Sequence, residues 1–349
     1  MTGMYSFRSF AQGKPSWILN YSWDGERNVA PAEAMKNLAM AELMSGSNFW
    51  DARGHVMSES NDFETRKLIF RWIADHETLF YSARVPVKSI GVYFSPKTRD
   101  YFPSEFIRSY RGILILLLTS HLEFQVVTPR NCRAFTGDLL VLPNAKCVSN
   151  AEVDSLKSYL RRGGTVLATG ETGKYTELGE SRARSLVDIL RNANTRPSDQ
   201  GRVVILQDDP GAEYYAQLEK DFNTAALERD YRNAAFEAVR RKLVNEVIGP
   251  SHRGAGVEVR ASPFAATQIA RVGGKLCVFI ANFRGLKSQE RARQTPERDV
   301  EITFPPGPKP RIYLLPFLGE AREIKGVRSN GGIKCVVPEI NTGAVVWME

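Results

Sequence analysis

The sequence predicts an α/β chain in three parts: two βα units, a doubly wound parallel-sheet domain, and a small antiparallel β-sandwich. Three observations carry that reading. Residues 138–173 spell strand, helix, strand: Leu139–Leu142 is an apolar run stopped by Pro143, Val153, Leu156, Tyr159 and Leu160 recur at helical spacing behind Ser149 and Asn150, and Thr165–Thr169 is again β-branched and apolar. Runs without polar alternation are what strands buried on both faces require, and neighbouring parallel strands need a right-handed crossover. The last hundred residues instead break into short runs separated by Gly, Pro and Asn, the rhythm of an antiparallel sandwich.

Composition agrees. With 349 residues, 43% of them hydrophobic and 25% charged, the chain is long enough for two or three cored domains and too apolar to be disordered. Lys plus Arg exceed Asp plus Glu by 47 to 39, but the basic residues are scattered among acidic ones, so no nucleic-acid partner is expected. The longest apolar run, residues 113–118, is too short to span a bilayer, and Met4 to Phe10 lacks the apolar core of a secretory signal. No membrane partner is expected, and a cytoplasmic location is favoured. Cys132, Cys147, Cys277 and Cys335 lack paired spacing and read as free, packed thiols; His55, His76, His121 and His252 lack the short spacings of a metal site. Neither metal nor cofactor is expected.

In chain order, residues 16–21 read as a strand, Pro31 to Gly46 as a helix, residues 48–51 as a second strand, and a helix from Asp62 carries a stripe of Leu68, Ile69, Trp72, Ile73, Leu79 and Phe80. After a Pro86 linker, the parallel sheet begins at Ile90. Its further elements are a helix over 105–118, strands at 124–128 and 202–207, a helix over 181–192, and a long helical stretch opened by Asp209-Pro210 with a break near Asn223 or Asp230. Sandwich strands fall at 257–261, 267–272, 275–282, 300–304, 311–315, 333–337 and 344–348, with a hairpin at Gly273-Gly274 and a stiff connection through Pro305, Pro306, Pro308 and Pro310.

Residues 37–50 (Asn-Leu-Ala-Met-Ala-Glu-Leu-Met-Ser-Gly-Ser-Asn-Phe-Trp), the helix that follows to Tyr81, and the 138–173 segment together resemble the later part of the glycoside hydrolases related to the trimeric β-galactosidases. The resemblance implies that residues 1–85 are the seventh and eighth units of a (β/α)8 barrel, 86–250 a glutamine-amidotransferase-like trimerisation domain, and 251–349 the β-sandwich. It implies a carbohydrate ligand and a homo-oligomer, with a trimer as its form. It also implies a nucleophilic glutamate at the end of the seventh strand, where Asn20 and Tyr21 stand, and an acid/base on the fourth. The chain alone is therefore expected to be inactive. The alternative is a non-catalytic assembly module built on the α/β domain.

Both strands of a barrel segment end on its catalytic face. Asn20, Tyr21, Trp23 and Glu26 follow the first strand, and Trp50, Arg53 and His55 the second, a mixture of aromatic planes and polar groups suited to sugar rings; they are the candidate substrate-binding residues. Asp24 and Asp51 are the carboxylates that could serve catalysis if any survives. In the α/β domain, the crevice lies beyond the strand ends at 144–147 and 170–174. Gly170-Glu171-Thr172-Gly173-Lys174 is half of a phosphate loop, but Ala168 replaces the leading glycine and Tyr175 the metal-ligating hydroxyl, so it reads as a strand-to-helix turn. A glutaminase nucleophile is missing there: the turn offers Gly170 and Glu171, and Cys147 follows the preceding strand.

Overall fold

The computed structural model describes all residues except 1, 13, 22–31, 53–62, 88–89, 193–200, 223–233, 251, 253, 255, 287–293, 308–309 and 330. Contacts divide the chain into two units, one made of Met1–Val87 with Gly256–Glu349, the other of Lys88–Ala255.

The first unit opens on a helix that the sequence reading did not anticipate, α1 (Thr2–Phe10), whose Tyr5 is buried and donates its hydroxyl to the Thr267 carbonyl at 3.0 Å. Then come β1 (Trp17–Tyr21), α2 (Ala32–Ser45), β2 (Asn48–Ala52), α3 (Phe63–Asp75), the short α4 (Glu77–Phe80) and β3 (Val85–Pro86). β1 and β2 pair in parallel, as a βα crossover demands. The expected stripe is corrected: Ile69, Trp72 and Ile73 are buried on α3, but Leu68 is 47% exposed, one residue round the helix from the packed face, and Leu79 and Phe80 lie on the separate α4 because the helix ends at Asp75. The Pro86 linker is corrected too, because Val85 and Pro86 form an edge strand, a place where proline's missing N–H costs no internal ladder bond.

The second unit is the parallel sheet. Its elements are β4 (Ile90–Tyr93), α5 (Pro96–Tyr101), α6 (Pro103–Thr119), β5 (Phe124–Val127), β6 (Leu139–Leu142), α7 (Asn150–Arg161), β7 (Thr165–Thr169), α8 (Leu186–Asn192), β8 (Arg202–Leu206), α9 (Pro210–Phe222) and α10 (Ala234–Arg241), the last continued by a π-helical turn over Lys242–Ile248. The strand order is β5-β4-β6-β7-β8, all parallel, a doubly wound order with its switch point between β4 and β6. Every residue of β4, β6 and β7 is buried, which is why those runs show no alternation. α7 has a complete capping box: Glu152 N–H donates to Ser149 Oγ at 3.2 Å and Ser149 N–H to Glu152 Oε2 at 2.6 Å. It closes at Gly163, φ +90°, with Gly163 N–H to Leu160 O and Gly164 N–H to Tyr159 O, a Schellman end. The expected helix over 181–192 starts later, at Leu186, because Ser181 is taken by a β-bridge to Tyr175. The expected breaks at Asn223 and Asp230 lie outside the described residues.

The sandwich completes the first unit. β9 (Glu258–Arg260), β10 (Ala265–Val272), β11 (Lys275–Asn282), β12 (Glu297–Phe304), β13 (Ile312–Pro316), β14 (Arg322–Ile324), β15 (Gly326–Ser329), β16 (Gly332–Ile340) and β17 (Gly343–Met348) form sheets ordered β14-β13-β17-β11-β10-β3 and β15-β16-β12-β9. Gly273 and Gly274 both have positive φ, as a two-residue hairpin turn between β10 and β11 requires. β14 and β15 are additions to the strands read from sequence.

Within this unit α2 packs on β10, β11 and β17. Met40 lies over Gly343, where an added Cβ would come within 2.7 Å of its Cγ, and Phe80 packs on Phe279. Trp72 Nε1 donates to Gly319 O at 2.9 Å. The end of α2 is capped by two guanidiniums: Arg84 reaches the carbonyls of Leu43 and Met44 while stacking over Phe279, and Arg8 reaches that of Ser45. The apolar face of α2 thus finds cover on the sandwich.

Candidate functional site

Two places can be built from the residues upward. The first is the carboxyl end of β1 and β2. Parallel pairing sets Leu19 beside Trp50, Asn20 beside Asp51 and Tyr21 beside Ala52, so the chain brings four of the sequence-selected positions to one end of one strand pair. Asn20 and Asp51 are register partners, one residue short of the ends. Trp23, Asp24, Glu26, Arg53 and His55 lie outside the described residues, as do the segments that carry them.

The second is the crevice at the carboxyl ends of the parallel sheet. At its switch point the polar groups are satisfied by one another. Ser95 caps α5 by accepting the Thr98 N–H at 3.2 Å, Ser95 Oγ donates to Cys147 O at 3.1 Å, and Cys147 N–H donates to Thr98 Oγ1 at 2.9 Å. Cys147 is fully buried, and burial pushes its thiol up, against weaker pulls from the Thr98 hydroxyl and Lys146. A thiol so placed is a packed group rather than a nucleophile.

Beside it, Lys146 has a buried side chain with Nζ held between Glu105 and Glu171, the latter at 2.7 Å, and over the Phe102 ring at 4.8 Å. Burial alone would lower the Lys146 amine, but the bonds to the two carboxylates outweigh it and raise the pKa. Glu171 is lowered, first by its bond to Lys146 and then by Lys174 at 2.5 Å. Two cations and two carboxylates leave the cluster without net charge. The 170–174 turn is corrected here: Gly170, φ +56°, donates to Leu206 O and Asp208 O, Glu171 N–H donates to Asn144 Oδ1, and Tyr175 bridges to Cys147 and Ser181, so no helix follows the turn until Leu186. With its amides so engaged, the turn does not form a phosphate cradle.

Sequence reasoning missed Ser95 and Thr98, and read Asp209 only as half of the Asp-Pro pair that opens a helix. Asp209 caps α9, accepting from Ala212 N–H at 3.0 Å and Ser109 Oγ at 2.8 Å, and burial raises its carboxyl despite those bonds. The Asp-Pro pair at 209–210 and Ser-Pro at 95–96 were the available signals, each a cap followed by proline in the first helical turn. Among the described residues no cluster of three His, Cys, Asp or Glu could hold a metal ion, and no helix is long and apolar enough to cross a membrane.

No protein-family model matches the chain, and no curated protein matches its sequence. Solved structures do match. α-L-Fucosidase isoenzyme 2 from Paenibacillus thiaminolyticus aligns with 99% of this chain and 62% of its own, at 11% identity and a TM-score of 0.67. The β-galactosidase from Bacillus circulans sp. alkalophilus aligns with 99% and 57%, at 8% identity and 0.66, and that from Rahnella sp. R3 with 100% and 57%, at 11% and 0.59. The fold is that of part of a β-galactosidase-type glycoside hydrolase. The chain spans about three-fifths of the length of these enzymes. At such identities the likeness is one of fold, and residue roles are not carried over by it.

Proposed function

We propose that this chain is a carbohydrate-binding part of a glycoside-hydrolase fold that does not hydrolyse glycosides by itself. The observation that carries the reading is the end of β1. Asn20 and Tyr21 occupy the carboxyl end of the strand that resembles the seventh of the barrel, where a nucleophilic glutamate is implied, and neither side chain type can do a carboxylate's work. Hydrolysis ordinarily uses two carboxyl groups, about 5 to 5.5 Å apart for retention and wider for inversion. Asp51 beside Asn20, with Asp24, which follows β1 in the sequence, would be the pair to examine if activity appeared. The sugar would meet Asn20, Tyr21, Trp23, Glu26, Trp50, Arg53 and His55. Purified chain is expected to leave aryl β-galactosides, α-fucosides and β-glucosides uncleaved while retaining binding on a glycan array. Turnover abolished by Asp51→Asn would overturn the inactivity.

A second reading, a non-catalytic assembly module built on the α/β domain, is favoured by the turns at the switch point of the parallel sheet, whose polar groups bond to one another. On this reading the chain is a homo-oligomer, with a trimer implied by the resemblance. A single-chain mass at every concentration in light scattering would sink it.

A further inference from the structure

The segments that leave β4 and β7 at the carboxyl end of the parallel sheet, beside its switch point, carry aromatic rings to the surface. Tyr101, at the end of α5, is 50% exposed. One side of its ring lies against Gly179, where an added Cβ would be 3.5 to 3.6 Å from three ring atoms, and the neighbouring Leu178 is 67% exposed. Phe102 follows Tyr101 and stacks on Tyr175, with ring centroids 5.2 Å apart and planes at 23°. The two lysines of the charged cluster sit over this stack, Lys146 above Phe102 and Lys174 with Nζ 5.6 Å from the Tyr175 centroid. Leu178 N–H donates to Thr176 Oγ1 at 3.3 Å and Gly179 N–H to Thr176 O at 3.1 Å, which ties the turn under Tyr101 to the strand-like stretch that carries Tyr175. Rings, turn and charged cluster are therefore one surface within the second unit.

From this we infer that the surface is a second carbohydrate site, taking one or two neutral pyranose rings with Tyr101 as the platform. It goes beyond the sugar-binding reading of the β1–β2 end, which belongs to the other unit. Area speaks against a protein partner: Tyr101 and Leu178 expose on the order of 200 Å2 between them, against about 800 Å2 per partner in a standard interface. Charge speaks against an anion. Lys146 and Lys174 are balanced by Glu105 and Glu171, and the amides of residues 170–174 are all bonded within the protein. A sugar meets both conditions. The open side of the Tyr101 ring can take the face of axial C–H bonds on a β-gluco- or β-galactopyranose. Glu105, Glu171 and Lys174 are each about half exposed and have bonding capacity for hydroxyls beyond the pairs they make. Lys146 is buried and touches no ligand; it holds Glu105 and Glu171 beside the rings.

Titration of the full chain with cellobiose and with lactose, followed at the backbone amide signals of Leu178 and Gly179, tests the site. A saturable shift is expected. Its affinity should fall at least about tenfold in Tyr101→Ala and be kept in Tyr101→Phe, which retains the platform. Tyr101 is exposed, so far-UV circular dichroism should not change in either variant. Trp50→Ala should leave the shifts at 178 and 179 as they are, which separates this site from the β1–β2 end. A sugar that moves the Trp50 indole signal but not Leu178 and Gly179 overturns this inference and leaves the other reading standing, and the converse result upholds this inference against it. No saturable shift at 178 and 179 with either sugar overturns the site. So does a stronger response there to inorganic phosphate, which would mean an anion site, or a shift that follows protein concentration without sugar, which would mean a second copy.

Discussion

Lys146 shows at the scale of one residue how a group that looks like chemistry can serve the fold. An amine with a buried side chain is costly unless paired, and here two carboxylates and a ring face supply the pairing. The pKa directions fix the pH window. Glu171 titrates lower in the folded chain than in the unfolded one, so its contribution is complete above about pH 5 and is lost as pH falls through the folded value. Lys146 titrates higher when folded, so its contribution is complete below about pH 10 and is lost as pH rises through the folded value. The prediction is a stability difference between wild type and Lys146→Met that is largest from about pH 5 to 10 and shrinks at both ends. Urea midpoints across that range measure it, and a difference independent of pH would mean that packing of the lysine stem, not the ion network, is what the variant loses.

Elements were legible where their signals are local. The capping box at Ser149 and the glycine pair at 163–164 are written in consecutive residues, and α7 runs between them. β14 and β15 escaped because short, mostly exposed strands carry no burial pattern, and α1 because a polar-aromatic sequence such as Thr-Gly-Met-Tyr-Ser-Phe gains its helix from packing Tyr5. Close helix approach is also invisible in sequence. α6 and α9 meet where Gly112 faces Gly211, and a Cβ on Gly112 would lie 1.8 Å from the Gly211 carbonyl oxygen. Gly112→Ala must therefore push two helices apart, and a loss of about 3 kcal/mol is expected in urea unfolding. Gly3, in α1 with nothing within 4 Å of the added atom, is the control: Gly3→Ala should be neutral or gain up to about 1 kcal/mol. Equal effects at both sites would show that helix propensity, not the crossing, decides the outcome.

Across the whole molecule, the layered order of the parts could be read from hydrophobic period, but their grouping could not. The chain leaves the first unit at Val87 and returns to it at Gly256, so segments distant in sequence share one core, and nothing local in either marks the other. The candidate sugar site shows the same limit: its residue types stand out in the sequence, whereas the pairing of Asn20 with Asp51 exists only once β1 and β2 are aligned in parallel. The grouping has a consequence that can be measured. Met40 over Gly343, Phe80 on Phe279 and Trp72 on Phe317 make the helices of residues 1–84 the cover for one face of the sandwich sheet. Burying each such side chain stabilises by about 1.5 to 3 kcal/mol, so removing the cover strips several of these terms from β10, β11 and β17 at once. Deleting residues 1–84 should therefore abolish slow amide exchange in β10, β11 and β17 and expose a dye-binding apolar surface. The amides of β4, β6 and β7 should stay protected, because their core is supplied by α6, α7 and the flanking strands of the second unit. Hydrogen exchange read strand by strand separates the cases: equal protection of β10, β11 and β17 with and without the first 84 residues would mean that the sandwich is complete without its helices.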